Sequence, residues 1–515
     1  MDQGQGAAYG ETMKQDSAAT AAMTEGGDAR LHLDPQTGLN RYFSAPRPSD
    51  VLAYASSTAN DISADAFVHV DSVMKELAPG GELTPKGYAA HLEQLRRRIR
   101  QAYDVPHDVE IVFAPSGTDL EYVALASVAG KAAGGTHNIL LGADEVGSGC
   151  IHSAHGRYFA NETALGVATK PGEGVPGLDD THVDLIDIPV RDARGYGRPS
   201  AEIAAAIEDA IGVAEAANRH PLIHVVHGSK TGLILPSMAD IDRLRAAHGE
   251  DVTFVVDACQ ARITSAAIAD YLARDAIVFI TGSKFMGGPP FSGFALVPPS
   301  LAKSAAPLPA GLATIFRRAE WPDDRPGLDR LPEGANLGLS LRLEASVFEL
   351  ERFQALPLET VTRVILAFHA AVRGAMIGPL PIRRVAPYPP GDRAEADSHP
   401  IEMRTLSTLD LSALRGGATF EDAQRWHRDL LAHGIRLGQP VKCVTLPDSG
   451  SASGAGGRWG ATLRIGLSMP NIVARSALSD AAAVSSCRAP QLRLRVRYIT
   501  PASATNSINE PISSE

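Results

Sequence analysis

Two short apolar runs, at residues 252–256 and 276–280, constrain this chain more than any other feature. Both consist mainly of β-branched and aromatic residues, which is typical of buried strands. Asp257 follows the first run, and a Gly/Ser turn that carries Lys284 follows the second. Parallel strands place their carboxyl ends at one edge of a sheet, where ligands collect. The two runs therefore predict a crevice that contains both a carboxylate and an amine.

A carboxylate and a lysine in one crevice are the groups that pyridoxal 5′-phosphate (PLP) requires. The amine can form a Schiff base with the cofactor aldehyde. The carboxylate keeps the pyridine nitrogen protonated, so that the ring withdraws electrons. The alternative interpretation is a buried ion pair and an unrelated lysine in a glycine-rich surface loop. The motifs described next favour PLP.

A third predicted strand, at residues 109–113, leads into a turn made by Ser116, Gly117 and Thr118, and an Ala-rich helix is predicted to follow. Backbone N–H groups at a helix N-terminus bind phosphate, and the two hydroxyl groups add donors. The turn is therefore a candidate phosphate site. The alternative is an ordinary helix cap in which Glu121 completes a capping box.

Four motifs resemble those of class V aminotransferases and cysteine desulfurases, which are fold type I PLP enzymes. They are Asp-Ala-Cys-Gln at 257–260, Thr-Gly-Ser-Lys at 281–284 with Gly-Gly-Pro-Pro at 287–290, the segment at 226–236, and the strand at 463–468. The resemblance covers roughly residues 80 to 470. It implies an α/β fold, with a large domain built on a mostly parallel, seven-stranded-type sheet and a smaller α+β domain at the C-terminus.

The resemblance assigns a role to each matching residue. Lys284 would form the Schiff base and shuttle protons, Asp257 would pair with the pyridine nitrogen, and Gln260 would hydrogen-bond the ring oxygen O3′. The further assignments are the cofactor phosphate for Ser116, Gly117, Thr118 and Thr281, a position near O3′ for Ser229, and the substrate α-carboxylate for Arg464.

The chain departs from the family pattern at several of these positions. Ser283 precedes the lysine where the family has histidine, and Gly228 and Ser229 replace an Asn-Asn pair. Ala335 stands where family members have a threonine that reaches the phosphate of a neighbouring subunit. These differences predict a divergent member.

The residue that stacks on the cofactor ring is expected within residues 142–155. Glu145, Val146, His152 and His155 are the candidates. We choose His152, because an imidazole can stack on a pyridine ring; a solvated loop histidine is the alternative.

The sequence leaves the reaction open. We predict an aminotransferase that acts on a small-molecule amino acid, and the alternative is a PLP-dependent lyase of C–S or β-elimination, desulfurase-like or decarboxylase type. Cys443 falls in an apparent strand rather than in a mobile loop, which disfavours desulfuration. A non-catalytic PLP-fold binding or regulatory protein is the second alternative, which Lys284 and Asp257 together disfavour.

A chain of 515 residues is long enough for more than one domain. The resemblance also implies a homodimer with its active site at a subunit boundary. The predicted organisation is a disordered tail at 1–29, an N-terminal arm at 30–80, the large PLP-binding domain at 81–300, a Pro-rich loop at 301–334, the small α+β domain at 335–485, and a C-terminal tail at 486–515.

Composition favours a soluble, cytoplasmic protein. The formal net charge of −11 argues against nucleic-acid and anionic-membrane partners. No apolar stretch in the sequence approaches the roughly 20 residues that a membrane span needs. The four cysteines have neither paired nor metal-type spacing, which fits a reducing compartment and predicts no metal site.

Overall fold

The computed structural model describes residues 17–55, 58–143, 145–147, 149–179, 181–377, 380–386, 399–414, 417–446 and 458–494, with side chains up to 487. The parts of the two predicted tails before residue 17 and after residue 494 lie outside these residues. The helices are α1 (Ala18–Met23), α2 (Ala64–Leu77), α3 (Pro85–Tyr103), α4 (Leu120–Val128), α5 (Cys150–Ser153), α6 (Ser200–Ala216), α7 (Met238–His248), α8 (Ser265–Leu272), α9 (Pro299–Lys303), α10 (Leu337–Gln354), α11 (Leu358–Val372), α12 (Phe420–Ala432), α13 (Met469–Val473) and α14 (Asp480–Leu494). The strands are β1 (Leu52–Tyr54), β2 (Glu110–Ala114), β3 (Thr136–Leu141), β4 (Val183–Ile188), β5 (His220–His227), β6 (Ile234–Leu235), β7 (Thr253–Asp257), β8 (Ile277–Thr281), β9 (Gly293–Val297), β10 (Arg383–Arg384), β11 (Leu406–Asp410), β12 (Ile435–Leu437) and β13 (Thr462–Gly466).

A large central sheet organises the first part of the chain. Its strand order is β2-β9-β8-β7-β5-β3-β4, and β6 pairs with β5 outside this path. Strands β8, β7, β5, β3 and β4 are parallel to one another, whereas β9 is antiparallel to both β2 and β8. The predicted α/β class with a mostly parallel sheet is confirmed.

The two apolar runs form neighbouring strands, as expected. They become β7 and β8, which are parallel, with Asp257 opposite Phe279 in register. Asp257 is the last residue of β7 rather than the first residue after it. Both strands are almost entirely buried because helices and loops cover both faces of the sheet.

The Pro-rich segment covers one face of this sheet. It contains short 3-10 helices at Ala310–Thr314, Arg318–Glu320 and Leu328–Arg330. Its Leu312, Phe316 and Trp321 are buried in a cluster with side chains of α4 and β2. The segment is therefore part of the core of its own chain.

A smaller unit follows α10. Its antiparallel sheet has the order β10-β11-β13, and β12 pairs in parallel with β1 of the N-terminal arm. The predicted boundary of the C-terminal tail at 486 is wrong, because α14 runs across it and packs on α11. Ala483 and Cys487 of α14 are fully buried, although this stretch has little apolar periodicity.

The prediction of disorder for residues 1–29 is wrong where the structure describes them. Helix α1 buries Ala19 and Met23 against α2 and α10. A high content of small and polar residues is typical of disordered segments. Here small residues allow close packing instead: a Cβ on Gly338 would lie 2.2 Å from the carbonyl oxygen of Glu25.

One helical segment, Leu358–Ile377, is long and apolar enough by length and composition to cross a membrane, with a mean hydropathy of 1.3. This corrects the expectation that no such stretch exists. Half of the segment is buried inside the protein, and Val364, Ile365 and Phe368 belong to the main core. These contacts make it a core helix of the smaller unit.

Candidate active site

A cavity of about 210 Å³ lies at the edge of the central sheet where β7 and β8 end. Most of the side chains predicted from the sequence line it: Ser116, Gly117, Thr118, Asp257, Gln260, Thr281, Lys284 and Arg464. His152 and Ser229 are not among the lining residues. The structure therefore brings together residues that are far apart in the sequence.

Lys284 lies in the loop after β8 and is half-buried. Its amine makes no hydrogen bond or ion pair with the described part of the chain. The loop is held by Asn60 of the arm, whose Nδ2 donates to the carbonyl oxygens of Ser283 (3.3 Å) and Lys284. On the other side the loop packs on α10: a Cβ on Gly288 would lie 2.0 Å from Ser346 Oγ. A fixed loop thus presents an unpaired lysine to the cavity.

Asp257 and Gln260 are also held in place by short contacts. Asp257 Oδ1 accepts a hydrogen bond from the backbone N–H of Cys259 at 2.9 Å. This hydrogen bond does not involve the second carboxylate oxygen, Oδ2. Gln260 Oε1 accepts from Arg262 Nη1 at 2.9 Å, so its amide NH₂ is the group left for a ligand. Arg262 is fixed in turn by Thr405 Oγ1 at 2.8 Å.

The predicted phosphate turn lies between β2 and α4. Ser116 Oγ donates to Asp119 Oδ2 at 2.5 Å and accepts from the Thr118 N–H at 3.2 Å. A Cβ on Gly117 would lie 2.7 Å from Thr281 Cγ2, so glycine is needed for this close approach. Burial raises the pKa of Asp119 to about 7, although the hydrogen bond from Ser116 opposes this.

The capping box is not formed. Asp119 occupies the N-cap position of α4 and makes no side-chain cap hydrogen bond. Glu121 is buried, with Oε2 at 3.4 Å from His224 Nε2. Thr281 lines the cavity, but its hydroxyl donates to the carbonyl oxygen of Cys259 at 2.6 Å. This hydroxyl is therefore committed to the backbone rather than to a ligand.

Arg464 lies in the middle of β13 and is buried. Its Nε donates to the carbonyl oxygen of Gln439 at 2.9 Å and its Nη1 to that of Lys230 at 3.1 Å. Within the described residues no carboxylate lies at ion-pair distance from it. Burial lowers its pKa to about 10, so the guanidinium is charged at neutral pH and is available to an external carboxylate.

Glu145 supplies a second carboxylate to the cavity wall. Its Oε1 lies 2.5 Å from Arg191 Nε, and its Oε2 accepts from Ser229 Oγ at 2.7 Å. Burial disfavours the charged form, but Arg191 and Ser229 outweigh it and lower the pKa of Glu145. The hydroxyl of Ser229 thus binds the Glu145 carboxylate of this ion pair, and the sequence carries no motif that indicates Arg191.

The structure separates the four candidates for ring stacking. Glu145 and Val146 line the cavity, whereas His152 and His155 do not. His152 lies on the short helix α5 and is partly exposed. His152, which we chose as the ring-stacking residue, therefore does not contact the cavity.

The N-terminal region contributes residues that the sequence analysis does not identify. Arg30, Tyr42, Thr58 and Ala59 all line the cavity. Thr58 and Ala59 are held between the pairing of β1 with β12 and the 2.5 Å ion pair of Arg436 with Asp61.

Comparison with protein-family models gives no match, and comparison with curated proteins gives no significant match. Solved structures do match. Alanine–glyoxylate aminotransferase from Nostoc sp. superposes with a TM-score of 0.52 at 13% identity, covering 91% of this chain and 98% of that one. Pyridoxamine–pyruvate aminotransferase from Mesorhizobium loti gives 0.50 at 16% identity, covering 87% and 96%.

A cysteine desulfurase from Thermococcus onnurineus is similar to the same degree. Its TM-score is 0.50 at 16% identity, and the match covers 86% of this chain and 94% of that chain. At such identities the similarity shows the fold alone. The chain therefore has the α/β fold of these aminotransferases and this desulfurase, which is the fold type I architecture that its motifs imply.

Proposed function

We propose that this protein is a PLP-dependent enzyme that acts on a small-molecule amino acid, and specifically an aminotransferase. The observation that carries the proposal is the unpaired Lys284 amine in one cavity with the Asp257 carboxylate, at the ends of adjacent parallel strands. Asp257 Oδ1 binds the backbone N–H of Cys259, whereas no hydrogen bond or ion pair within the described residues engages the Lys284 amine.

The lining residues fit PLP group by group. The Lys284 amine suits an aldehyde, and Asp257 suits a protonated pyridine nitrogen. The turn at Gly117 is a cradle that a Cβ would fill, and helix α4 begins directly behind it, as a phosphate requires. Gln260 retains an amide donor for a ring oxygen.

When bound, PLP would withdraw electrons from the substrate Cα. Residues of the chain would bind and orient the substrate and move protons. Arg464 would bind the substrate carboxylate with two parallel hydrogen bonds and so orient Cα. Lys284 would take the proton from Cα and deliver it to the cofactor carbon that carried the aldehyde. Asp257 would hold the proton at the pyridine nitrogen.

Cys443 gives desulfuration no support. It is buried outside the cavity, and burial raises its pKa to about 12. It lies in an irregular segment after β12 rather than in the apparent strand expected from the sequence. A thiol in this setting is a poor nucleophile, so transamination remains the first choice and other lyase reactions the alternative.

The proposal also includes a homodimeric, cytoplasmic enzyme. The four cysteines are all free and buried, which supports a reducing compartment. The net charge of −11 does not favour nucleic-acid or anionic-membrane partners.

A two-stage assay tests the proposal. Added PLP is expected to gain a shifted absorbance band on binding, and this band is expected to change when amino acids are added. Keto acid formed without ammonia would support an aminotransferase, whereas ammonia, sulfide or carbon dioxide would indicate a lyase. A band that no amino acid alters would favour a non-catalytic PLP-binding protein, and the lack of any band would contradict the proposal.

A further inference from the structure

Arg30 lines the cavity together with the phosphate turn, although it comes from the N-terminal segment. It lies in the short 3-10 helix Ala29–Leu31, and its side chain is 19% exposed. The guanidinium sits between two aromatic rings, 4.9 Å from the centroid of Phe159 and 4.6 Å from that of Phe291. A cation so enclosed is a built feature of the cavity wall.

Asp28 fixes the orientation of this guanidinium. Its carboxylate accepts from Arg30 Nε at 2.9 Å and from Nη2 at 2.7 Å. Arginine has five N–H donors, and Asp28 occupies one edge of the fork. Nη1 makes no hydrogen bond with the residues that the structure describes. Donors are therefore left over on a side chain that faces the cavity.

Helix α10 anchors the segment that carries Arg30. The buried Arg342 donates to the carbonyl oxygens of Met23 (2.9 Å), Glu25 (2.6 Å) and Gly26 (3.1 Å). Asn336 Nδ2 also donates to the Gly26 carbonyl oxygen, at 2.9 Å. The same helix packs on the Lys284 loop, so Arg30 and the lysine are held by one scaffold.

A phosphate dianion at the turn needs a full positive charge nearby. The turn itself offers neutral donors and the helix dipole, which is worth about half a charge. Asp119 adjoins the turn and would oppose an anion there. Three other cations line the cavity: Lys284 is reserved for the aldehyde, Arg464 binds the Lys230 carbonyl oxygen, and Lys230 acts on Glu145, whose pKa it helps to lower. Arg30 lines the same cavity as the turn residues Ser116, Gly117 and Thr118.

We infer that Arg30 binds the cofactor phosphate, so that the N-terminal segment of the chain is part of the cofactor site. This inference rests on the proposed function and adds to it an intrachain cation that none of the sequence motifs contains.

The test compares PLP with pyridoxal, which lacks the phosphate, in equilibrium binding to the apoprotein. Arg30→Gln is expected to weaken PLP binding by about 10- to 100-fold, since a charge-assisted hydrogen bond is worth roughly 1.5–3 kcal/mol. Pyridoxal binding is expected to stay within about two-fold of the wild-type value because the ring contacts are intact. Arg30→Lys, which keeps the charge but loses the fork, is expected to lose less.

Arg47→Gln is the matched control. Arg47 belongs to the same segment, donates to the Gly38 carbonyl oxygen at 3.4 Å and does not line the cavity. Both affinities are expected to be unchanged in this variant. If Arg30→Gln fails to fold, Arg30→Lys decides: loss of PLP affinity alone supports the assignment.

An equal loss of PLP and pyridoxal binding, or no loss of either, would overturn the assignment of Arg30 to the phosphate. Failure of the proposed function looks different: the wild-type protein would then bind neither compound. Binding of inorganic phosphate provides an independent test. The wild-type apoprotein is expected to bind it more tightly than Arg30→Gln does, whichever reaction the enzyme performs.

Discussion

Arg464 differs from the buried Arg191 and Arg436 in having no carboxylate at ion-pair distance among the described residues, and from the buried Arg342, which also has none, in lining the cavity. Arg191 is paired with Glu145 and Arg436 with Asp61, each at 2.5 Å. An unpaired buried charge is costly, and a substrate carboxylate would compensate it. Arg464 thus indicates both a carboxylate ligand and the part of the cavity where it would bind.

Arg464→Lys is expected to raise KM for an amino-acid substrate by about ten-fold or more, because lysine cannot form two parallel hydrogen bonds with a carboxylate. kcat is expected to fall less, since the contact binds ground state and transition state alike. Arg458→Lys is the control, because Arg458 is exposed and does not line the cavity. An unchanged KM in Arg464→Lys, with a raised KM in Arg458→Lys, would show that Arg458 rather than Arg464 binds the substrate carboxylate.

Asp119 makes the stability of the apoprotein depend on pH. Burial raises its pKa from 3.8 to about 7. The folded state therefore retains a proton that the unfolded state has lost, and the free energy of unfolding falls as pH rises from about 4 to about 7. Above pH 7 the folded state bears the full cost of a buried anion.

Asp119→Asn removes this titration. It is expected to stabilise the apoprotein at pH 8 by up to about 4 kcal/mol, since each pKa unit is worth 1.36 kcal/mol, and to have a much smaller effect at pH 4. Denaturant unfolding at the two pH values measures the difference, with the exposed Asp50→Asn as control. A gain that is equal at both pH values would show that Asp119 does not titrate in this range.

Among the elements, the Lys284 loop depends most on its neighbours. A Cβ on Gly288 would lie 2.0 Å from Ser346 Oγ and 3.0 Å from Ser346 Cβ. Gly288→Ala is expected to destabilise the protein by about 1–3 kcal/mol through overpacking and to weaken PLP binding.

Adding Ser346→Ala removes the clashing oxygen and is expected to restore most of both losses. The four proteins form a double-mutant cycle measured by thermal unfolding and PLP binding. Strictly additive losses would mean that the loop relaxes in another direction and that its contact with α10 is unimportant.

The elements that the sequence predicts well carry strong local signals. Helix α3 begins at Pro85 after the N-cap Thr84, whose hydroxyl accepts from the Gly87 N–H at 3.1 Å. Strands β7 and β8 are continuous apolar runs, as buried parallel strands are. Lys284 and Asp257 follow these runs, so their meeting in one cavity was also predictable.

The residues that the sequence does not reveal depend on contacts between distant segments. Arg30 reaches the cavity through the docking of α1 on α10, and Arg191 contacts the cavity residue Glu145. Neither contact leaves a periodic or motif-like pattern. Ser229 was expected at the cofactor, but its hydroxyl is bound by Glu145, which no local pattern indicates.

At the scale of the whole molecule, the predicted homodimer is the main open assembly question. Sedimentation of the active enzyme is expected to give twice the 54.2 kDa mass of one chain. The family resemblance is the basis for this expectation, together with large apolar side chains that remain exposed on α2 and α11, such as Val68 and Leu366. An active species that sediments as a monomer would contradict it.

The central claim is that Lys284 carries PLP covalently. Borohydride reduction of the PLP-loaded protein, followed by proteolysis and peptide mass mapping, tests it without any assumption about the substrate. We expect a single phosphopyridoxyl group on the peptide that contains Lys284, and none in Lys284→Ala. Lys230 also lines the cavity, and Lys303 is exposed on α9. A label on Lys230 or Lys303 in place of Lys284 would show that Lys284 is not the residue that carries PLP.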